Sequence, residues 1–127
     1  MSQIPVIYNT AYDISVPPTH RFNGTKFSRL IHELEQSAFS SDLEFTHSSP
    51  VRYRDILRAH ASEYVKRVAT GALLRDEIRL INLPINQRLI RRSFLALNGT
   101  YQTALWALEA GIACHAAGGT HHARYSG

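Results

Sequence analysis

The last third of the chain constrains the fold more than any other part of the sequence. Leu89 to Ala110 carries the apolar spacing of one long helix, and Gly111 is expected to end that helix. The small apolar run IACHAAGG follows at once. Such a run directly after a helix is typical of a parallel strand that is covered on both faces. The sequence therefore predicts an α/β fold with a mainly parallel sheet.

Two features indicate how the long helix packs. Gly99 inside a helix costs about 1 kcal/mol relative to alanine, which predicts that a neighbour packs closely against it. The larger apolar residues share one face, the pattern of an amphipathic helix that packs on a core: Ile90, Phe94, Leu97, Tyr101, Leu105 and Leu108.

The first third of the chain predicts two further strands separated by a loop and a helix. Ile4 to Tyr8 is a short run rich in β-branched residues, and Leu43 to Thr46 is expected to form a second short strand. The prolines and the glycine between Val16 and Thr25 predict a loop. An amphipathic helix follows that loop, with its apolar positions at Phe27, Leu30, Ile31 and Leu34.

The sequence in the middle of the chain predicts helical structure. The stretch RYRDILRAHASEYVKRVATG is compatible with two short helices or with one bent helix, and Gly71 is its expected C-terminal stop. The stretch LPINQ predicts a second loop before the long helix.

Length and composition indicate one globular domain. The chain has 127 residues, of which 44% are hydrophobic and 19% charged, enough apolar material to bury a core. No run approaches the roughly 18 apolar residues of a membrane helix, and MSQIPVIYNT lacks the features of a signal peptide. The single cysteine, Cys114, excludes an internal disulfide. We expect a cytoplasmic location.

The positive charge of the chain has two interpretations. The net charge is +4, and one tight basic group lies at Arg88, Arg91 and Arg92. Such a group is most often a solvated helix face, and the alternative is a nucleic-acid surface. No other motif supports the alternative, so nucleic acid is not the expected partner.

The tandem histidines His121 and His122 are the main candidates for chemistry. They follow Gly118 and Gly119 in the loop after the expected strand, and ligands of open α/β sheets bind beyond the carboxyl ends of the strands. Neutral imidazole is the usual general base near pH 7. Taken alone, the dipeptide also fits two surface histidines near the end of the chain.

We expect structural roles for the cysteine and for histidines outside the tandem pair. Zinc in a catalytic site needs three protein ligands, and the spacing of Cys114 and His115 to the tandem histidines matches no known ligand motif. We expect Cys114 to be a small buried hydrophobe. His20 in the proline-rich loop, and the i, i+4 pair His60 and Tyr64, are expected to make structural hydrogen bonds or contacts.

Three separated stretches together resemble histone-deacetylase-like proteins, especially the class IV branch and its bacterial relatives. PVIYNTAYDISVPPTHRFNGTKFSRL resembles the start of these proteins, and DILRAHASEYVKRV resembles their next motif. INLPINQRLIRRSFLALNGTYQTALWALEAGIACHAAGGTHHA resembles the third, with its Arg-Ser pair, its Gly-Thr and its closing Gly-Gly-x-His-His-Ala. The stretches occur in the family's order along nearly the whole chain.

The resemblance implies both a fold and a chemistry. It implies a three-layer αβα domain of the arginase–deacetylase type with a mainly parallel sheet. It implies a zinc-dependent amidohydrolase that removes acetyl or other acyl groups from lysine or amines. By the same resemblance, His122 is the general base and later the acid, and His121 is its electrostatic partner. His20 and Phe22 belong to the rim of the acyl-lysine channel.

The sequence also departs from the family pattern. In the family, the zinc ligands, a transition-state tyrosine and the carboxylates that orient the histidines all follow the tandem histidines. None of these lies within residues 1–127, so the resemblance implies one N-terminal part of a deacetylase domain, truncated after its early strands. We expect that this chain alone binds no zinc and is inactive. Asn23 and Gly24 stand where relatives often have Pro-Met.

An alternative function belongs to a different class. The chain is then a small α/β interaction or oligomerisation module that reuses the deacetylase scaffold. Its open strand edge and apolar helix faces would be covered by self-association or by a complementing chain. In the leading interpretation the partner is instead an acetylated lysine or acylated amine substrate, bound once the missing part completes the site. No membrane partner is expected.

Overall fold

The core of the protein is a three-stranded parallel sheet. In a computed structural model, which describes residues 3–127, the strands are β1 (Ile4–Tyr8), β2 (Leu43–His47) and β3 (Cys114–His115). Their order is β2-β1-β3, so the first strand is central. It pairs along its whole length with β2, and through Val6 and Ile7 with β3. The predicted parallel sheet is confirmed, and β2 extends one residue beyond its predicted end.

Within residues 3–127, five α-helices connect and cover the strands. In chain order they are α1 (Lys26–Gln36), α2 (Tyr53–Ile56), α3 (Ser62–Thr70), α4 (Arg75–Ile81) and α5 (Gln87–Ala110). Short 3-10 turns at Thr10–Tyr12 and Ser40–Asp42 precede the proline-rich loop and β2. The predicted loop and the predicted helix after it are confirmed.

The helices lie on both faces of the sheet. On one face, Val6 and Ala116 pack against Ile31 of α1. On the other, α5 crosses β1 and β3, and Gly99 lies against the side chain of His115. Because successive residues of a strand point to opposite faces, Ala116 and His115 face different helices. The result is the predicted three-layer αβα arrangement.

Left-handed glycines end two of the helices as predicted. Gly71 follows α3 with φ of 72°, and Gly111 follows α5 with φ of 84°. Glycine adopts this backbone conformation without the steric cost that a side chain adds. The side chain of Asn86 begins α5 by accepting a hydrogen bond from the amide of Leu89 at 3.0 Å.

The middle of the chain contains a helix that the sequence analysis missed. The two-helix alternative is correct for α2 and α3, and α4 follows after a short link. Local contacts support α4: the carboxylate of Glu77 accepts a hydrogen bond from the amide of Leu74 at 2.7 Å and pairs with Arg67. The hydrogen bond from Arg67 lowers the pKa of Glu77. The helix has only 7 residues, too few for a clear apolar period.

The predicted packing face of α5 is wrong. The residues that α5 buries are Arg92, Leu95, Ala96 and Gly99, whereas much of the predicted face remains open. The exposed fractions along that face are 43% for Leu97, 61% for Tyr101, 43% for Leu105 and 84% for Leu108. The helix approaches the sheet through small residues because Tyr12 and His115 occupy the space next to Gly99. The close packing predicted at Gly99 is therefore confirmed.

The third strand is shorter and more open than predicted. β3 pairs over two residues and lies at an edge of the sheet, so one side of the strand has no neighbouring strand among residues 3–127. Cys114 is exposed, which contradicts its predicted burial. Only Ala116, just beyond the strand, is buried in this segment. The predicted strand after Gly111 is therefore present, and it forms an edge of the sheet.

No helix among residues 3–127 is both long and apolar enough to cross a bilayer. Met1 and Ser2, which belong to the segment considered for a signal peptide, lie outside the described residues. The cytoplasmic location stays a prediction.

Candidate active site

The tandem histidines lie on the wall of a cavity beside α5. The loop from Gly118 to His122 follows β3 at the carboxyl end of the sheet, where parallel folds bind their ligands. The cavity has a volume of about 600 Å³. Apolar side chains from α3 and α5 form much of its wall, among them Val65, Val68, Phe94, Leu97 and Tyr101.

His121 and His122 are both exposed and both line this cavity. The hydroxyl of Thr120 lies 2.7 Å from Nδ1 of His121, a contact that fixes the tautomer of that ring once the hydroxyl donates. The ring of His122 makes no hydrogen bond to residues 3–127, so both its nitrogens remain available. The pair can thus serve one bound molecule, although its catalytic roles stay predictions.

A buried polar network supports the segment that leads into the histidine loop. The Tyr12 hydroxyl lies 2.9 Å from Oγ of Ser48 and 2.8 Å from Nε2 of His115. On its other side, Nδ1 of His115 lies 3.2 Å from Oγ1 of Thr100. Each partner of the imidazole is a hydroxyl that can donate or accept, so the neutral ring is satisfied in either tautomer. The network joins β3 to α5 and to the turn after β1.

Burial shifts the acid–base behaviour of this network. Desolvation lowers the pKa of His115, and the positive charge of Arg92 lowers it further. Desolvation also raises the pKa of Tyr12, against the opposing effects of Ser48 and Arg92. Both shifts favour the neutral forms. Nothing in the local sequence marks Tyr12 or Ser48, because they meet only where the neighbouring strands β1 and β2 end.

Acidification is expected to destabilise the fold through His115. Its pKa is lower when folded than the ordinary value near 6.5, so the unfolded chain binds the proton more tightly. The free energy of unfolding should therefore be unaffected by His115 above pH 7 and fall as the pH drops below about 6.5. Urea unfolding at several pH values between 7.5 and 5.5 measures this dependence. In His115→Gln, the free energy of unfolding should fall less steeply with decreasing pH than in the wild type.

The matched control is His32→Gln on the exposed side of α1, which should keep the wild-type slope. Equal slopes in the wild type and His115→Gln would contradict the assignment.

Arg92 is not part of a basic surface. Its exposed fraction is 3%, so only Arg88 and Arg91 of the predicted group reach solvent. Its Nε donates to the carbonyl oxygen of Tyr12 at 2.8 Å, and its guanidinium lies 4.8 Å from the ring centre of Phe27. Burial lowers its pKa. The interpretation of this group as a solvated helix face is wrong for Arg92, which also weakens the nucleic-acid alternative.

His20 and Phe22 do not line the cavity of the tandem histidines. Both line a separate depression formed by residues 14–18 and 20–25. The ring of His20 accepts from the amide of Phe22 through Nδ1 at 3.0 Å, which leaves Nε2 to donate to the carbonyl of Asn82 at 2.8 Å. The expected structural hydrogen bond of His20 is confirmed. The role of both residues at a channel rim stays a prediction.

His60 and Tyr64 contact each other as expected, with ring centres 5.9 Å apart. His60 and Ala61 also contact the segment after the histidine pair: His60 Nδ1 contacts the carbonyl of Arg124, and the amide of Ala61 donates to the carbonyl of Tyr125 at 2.8 Å. These contacts anchor the segment after the histidine pair on the N-terminus of α3.

The residues present do not form a complete metal site. Across the part of the chain that the structure describes, no three His, Cys, Asp or Glu side chains gather closely enough to hold a metal ion. Zinc in a catalytic site takes three protein ligands. The described residues therefore offer no complete ligand set for zinc, and the expectation that this chain alone binds no zinc stays a prediction.

Comparison with known proteins decides the family. The histone deacetylase domain matches residues 20–127, which include the end of the proline-rich loop, α5 and the tandem histidines. The chain belongs to the histone deacetylase family. The three-layer fold with its parallel sheet agrees with this assignment.

Two relatives indicate how much of a deacetylase this chain represents. It is 37% identical over 122 residues to an uncharacterized protein of Picosynechococcus sp., an alignment that covers 94% of this chain and 40% of the relative. It is 26% identical over 131 residues to histone deacetylase 2 of Arabidopsis thaliana, covering 96% of this chain and 34% of that protein. The chain thus spans two-fifths or less of the length of these relatives.

Proposed function

We propose that this chain supplies the acid–base half of a zinc-dependent deacetylase site, as one N-terminal part of the domain. One observation carries the proposal: in a member of this family, His121 and His122 line one cavity beyond the carboxyl end of a parallel strand. The proposed reaction is hydrolysis of an acyl amide of lysine or of another amine. The zinc ligands then belong to protein outside residues 1–127.

The proposed roles of the two histidines follow from amide hydrolysis. His122 removes a proton from water as the water oxygen bonds to the acyl carbon. It then delivers a proton to the leaving amine as the carbon–nitrogen bond breaks, so it ends the cycle neutral. His121 holds the water and stabilises the developing charge. Its contact with Thr120 supports this role, because the hydroxyl can orient the ring.

The same proposal makes the isolated chain inactive. A general base contributes about 10²- to 10⁴-fold to a rate, and it needs an activated electrophile beside it. Zinc held by the remaining part of the domain would supply that activation by polarising the acyl carbonyl. Without ligands for the metal, the histidine pair alone leaves most of the barrier in place.

The exposed face of α5 supports a requirement for more protein. Leu97, Tyr101, Leu105 and Leu108 form an apolar stripe that runs on from the cavity with the histidines. Exposed apolar stripes of this kind mark surfaces that another protein covers. The length of the relatives favours one occupant: the remaining part of a deacetylase domain, of which this chain spans two-fifths or less. Self-association of an interaction module is the competing outcome.

Co-expression tests the proposal. The chain is produced together with the part of the Picosynechococcus relative that lies outside the alignment, and the mixture is studied by size-exclusion chromatography and an acetyl-lysine peptide assay with zinc. We expect a one-to-one complex that hydrolyses the peptide. A stable homodimer that excludes the second part would support the interaction module instead, and a complex without hydrolysis would contradict the proposed activity.

A variant of the stripe gives the matched control. Leu108→Glu, at the most exposed position, should weaken the complex and leave the fold of the chain unchanged. If the variant forms the complex as well as the wild type does, α5 is not the contact surface.

A further inference from the structure

Arg92 is a buried cation that forms no direct salt bridge within the part of the chain that the structure describes, although the charge of Asp13 acts on it. The carboxylate of Asp13 instead accepts from the amide and hydroxyl of Ser28. The guanidinium lies among the rings of Phe27 and Tyr12, with Nε and Nη2 directed at backbone carbonyls.

The two carbonyls belong to two different loops at the same edge of the sheet. Nε donates to Tyr12, four residues after the end of β1, and Nη2 donates to Gly118, three residues after the end of β3, at 3.3 Å. The contact to Gly118 is the longer one, and Gly118 is the first residue of the histidine loop. A planar guanidinium with several fixed donors can serve both carbonyls at once, which a lysine ammonium cannot do in the same geometry.

Fold stability alone does not explain a residue of this kind. Moving a cation from water into a protein interior is costly, and apolar residues of similar size often stabilise such positions as well or better. Methionine, which packs well in irregular cores, could fill the position of Arg92 in α5. A buried arginine is instead suited to fixing the relative position of two loops.

We propose that Arg92 is a positioning residue that holds the start of the histidine loop against the turn after β1. The inference rests on the proposed function for its catalytic meaning. The effect on the structure does not depend on that function: the guanidinium of Arg92 keeps the backbone from Gly118 to Thr120 ordered. The residue acts on the loop through the carbonyl of Gly118, and its side chain also reaches the wall of the cavity that the tandem histidines line.

Backbone ¹⁵N relaxation of the isolated 127-residue chain tests the proposal. In the wild type, the amide order parameters of Gly118 to Thr120 should be close to the value of about 0.85 for rigid backbone. In Arg92→Lys they should fall below about 0.6, while those of Val6 and Ile7 in β1 stay unchanged. Arg92→Met should give the same local loss with a similar unfolding midpoint. Arg91→Lys, at the exposed neighbouring position of α5, is the control and should change neither region.

Several outcomes would overturn the proposal. Order parameters of the loop that are low in the wild type, or unchanged in Arg92→Lys, would show that Arg92 does not hold it. Loss of order throughout Arg92→Lys, including β1, would make Arg92 a residue of general stability. The measurement uses no zinc and no substrate, so its result does not depend on whether the completed protein deacetylates.

Discussion

Gly99→Ala is expected to destabilise the fold by about 3 kcal/mol, near the upper end for an overpacked core. A methyl group at this position would overlap both Nε2 of His115 and the hydroxyl of Tyr12. This effect on stability is opposite to the usual one, because replacing glycine by alanine in an exposed helix stabilises the helix by about 1 kcal/mol. Relief of the overlap would have to move α5 from the sheet or break the hydrogen bond between Tyr12 and His115. Urea unfolding followed by far-UV circular dichroism measures the change.

Gly118→Ala is the matched control for this substitution. A methyl group at Gly118 meets no other atom within 4 Å, so we expect a change of no more than about 0.5 kcal/mol. If Gly99→Ala is as stable as the wild type, α5 does not approach the sheet as closely as described.

His122→Ala is expected to lower the rate of the completed deacetylase by roughly 100- to 10,000-fold. The completed protein is the complex of this chain with the remaining part of the domain. The variant removes the proposed acid and base and leaves an exposed position on a loop, so binding of the two parts should be unaffected. The measurement is kcat for an acetyl-lysine peptide, with size-exclusion chromatography to verify the complex.

His32→Ala controls for the loss of an imidazole elsewhere, because His32 is exposed on α1 and does not line the cavity. It should retain full activity. If His122→Ala keeps more than a tenth of the wild-type rate, another residue is the main base.

The architecture could be predicted because its signals are local. The apolar run of β1 and the amphipathic period of α1 are visible within short windows, and the run after Gly111 correctly indicated a parallel strand. The position of the tandem histidines beyond that strand followed from the same pattern.

The errors arose where tertiary contacts override local patterns. Size and periodicity favoured the large apolar residues of α5 as its packing face, yet the helix meets the sheet through Ala96 and Gly99. Cys114 resembled a core residue because it lies in a run of small side chains, but β3 has no neighbour on its outer edge within the described chain. Both errors concern surfaces that the proposed remainder of the domain would cover.

The supporting residues of the site could not be predicted for a different reason. Tyr12 and His115 are 103 positions apart, and only the β1–β3 pairing and the approach of α5 bring them together. Arg88 and Arg91 lie close to Arg92 in the sequence, and the sequence alone does not distinguish a buried arginine from two exposed ones. The burial of Arg92 becomes evident only once Phe27 and Tyr12 are seen around it.

The most direct test is an assay of the isolated chain with zinc. Purified 127-residue protein is incubated with zinc and an acetyl-lysine peptide, and released acetate is measured against a sample without protein. We expect no release above that baseline, because the histidines lack the metal that completes the site. Release of acetate by the chain alone, abolished by His122→Ala, would contradict the claim that residues 1–127 hold only the acid–base half.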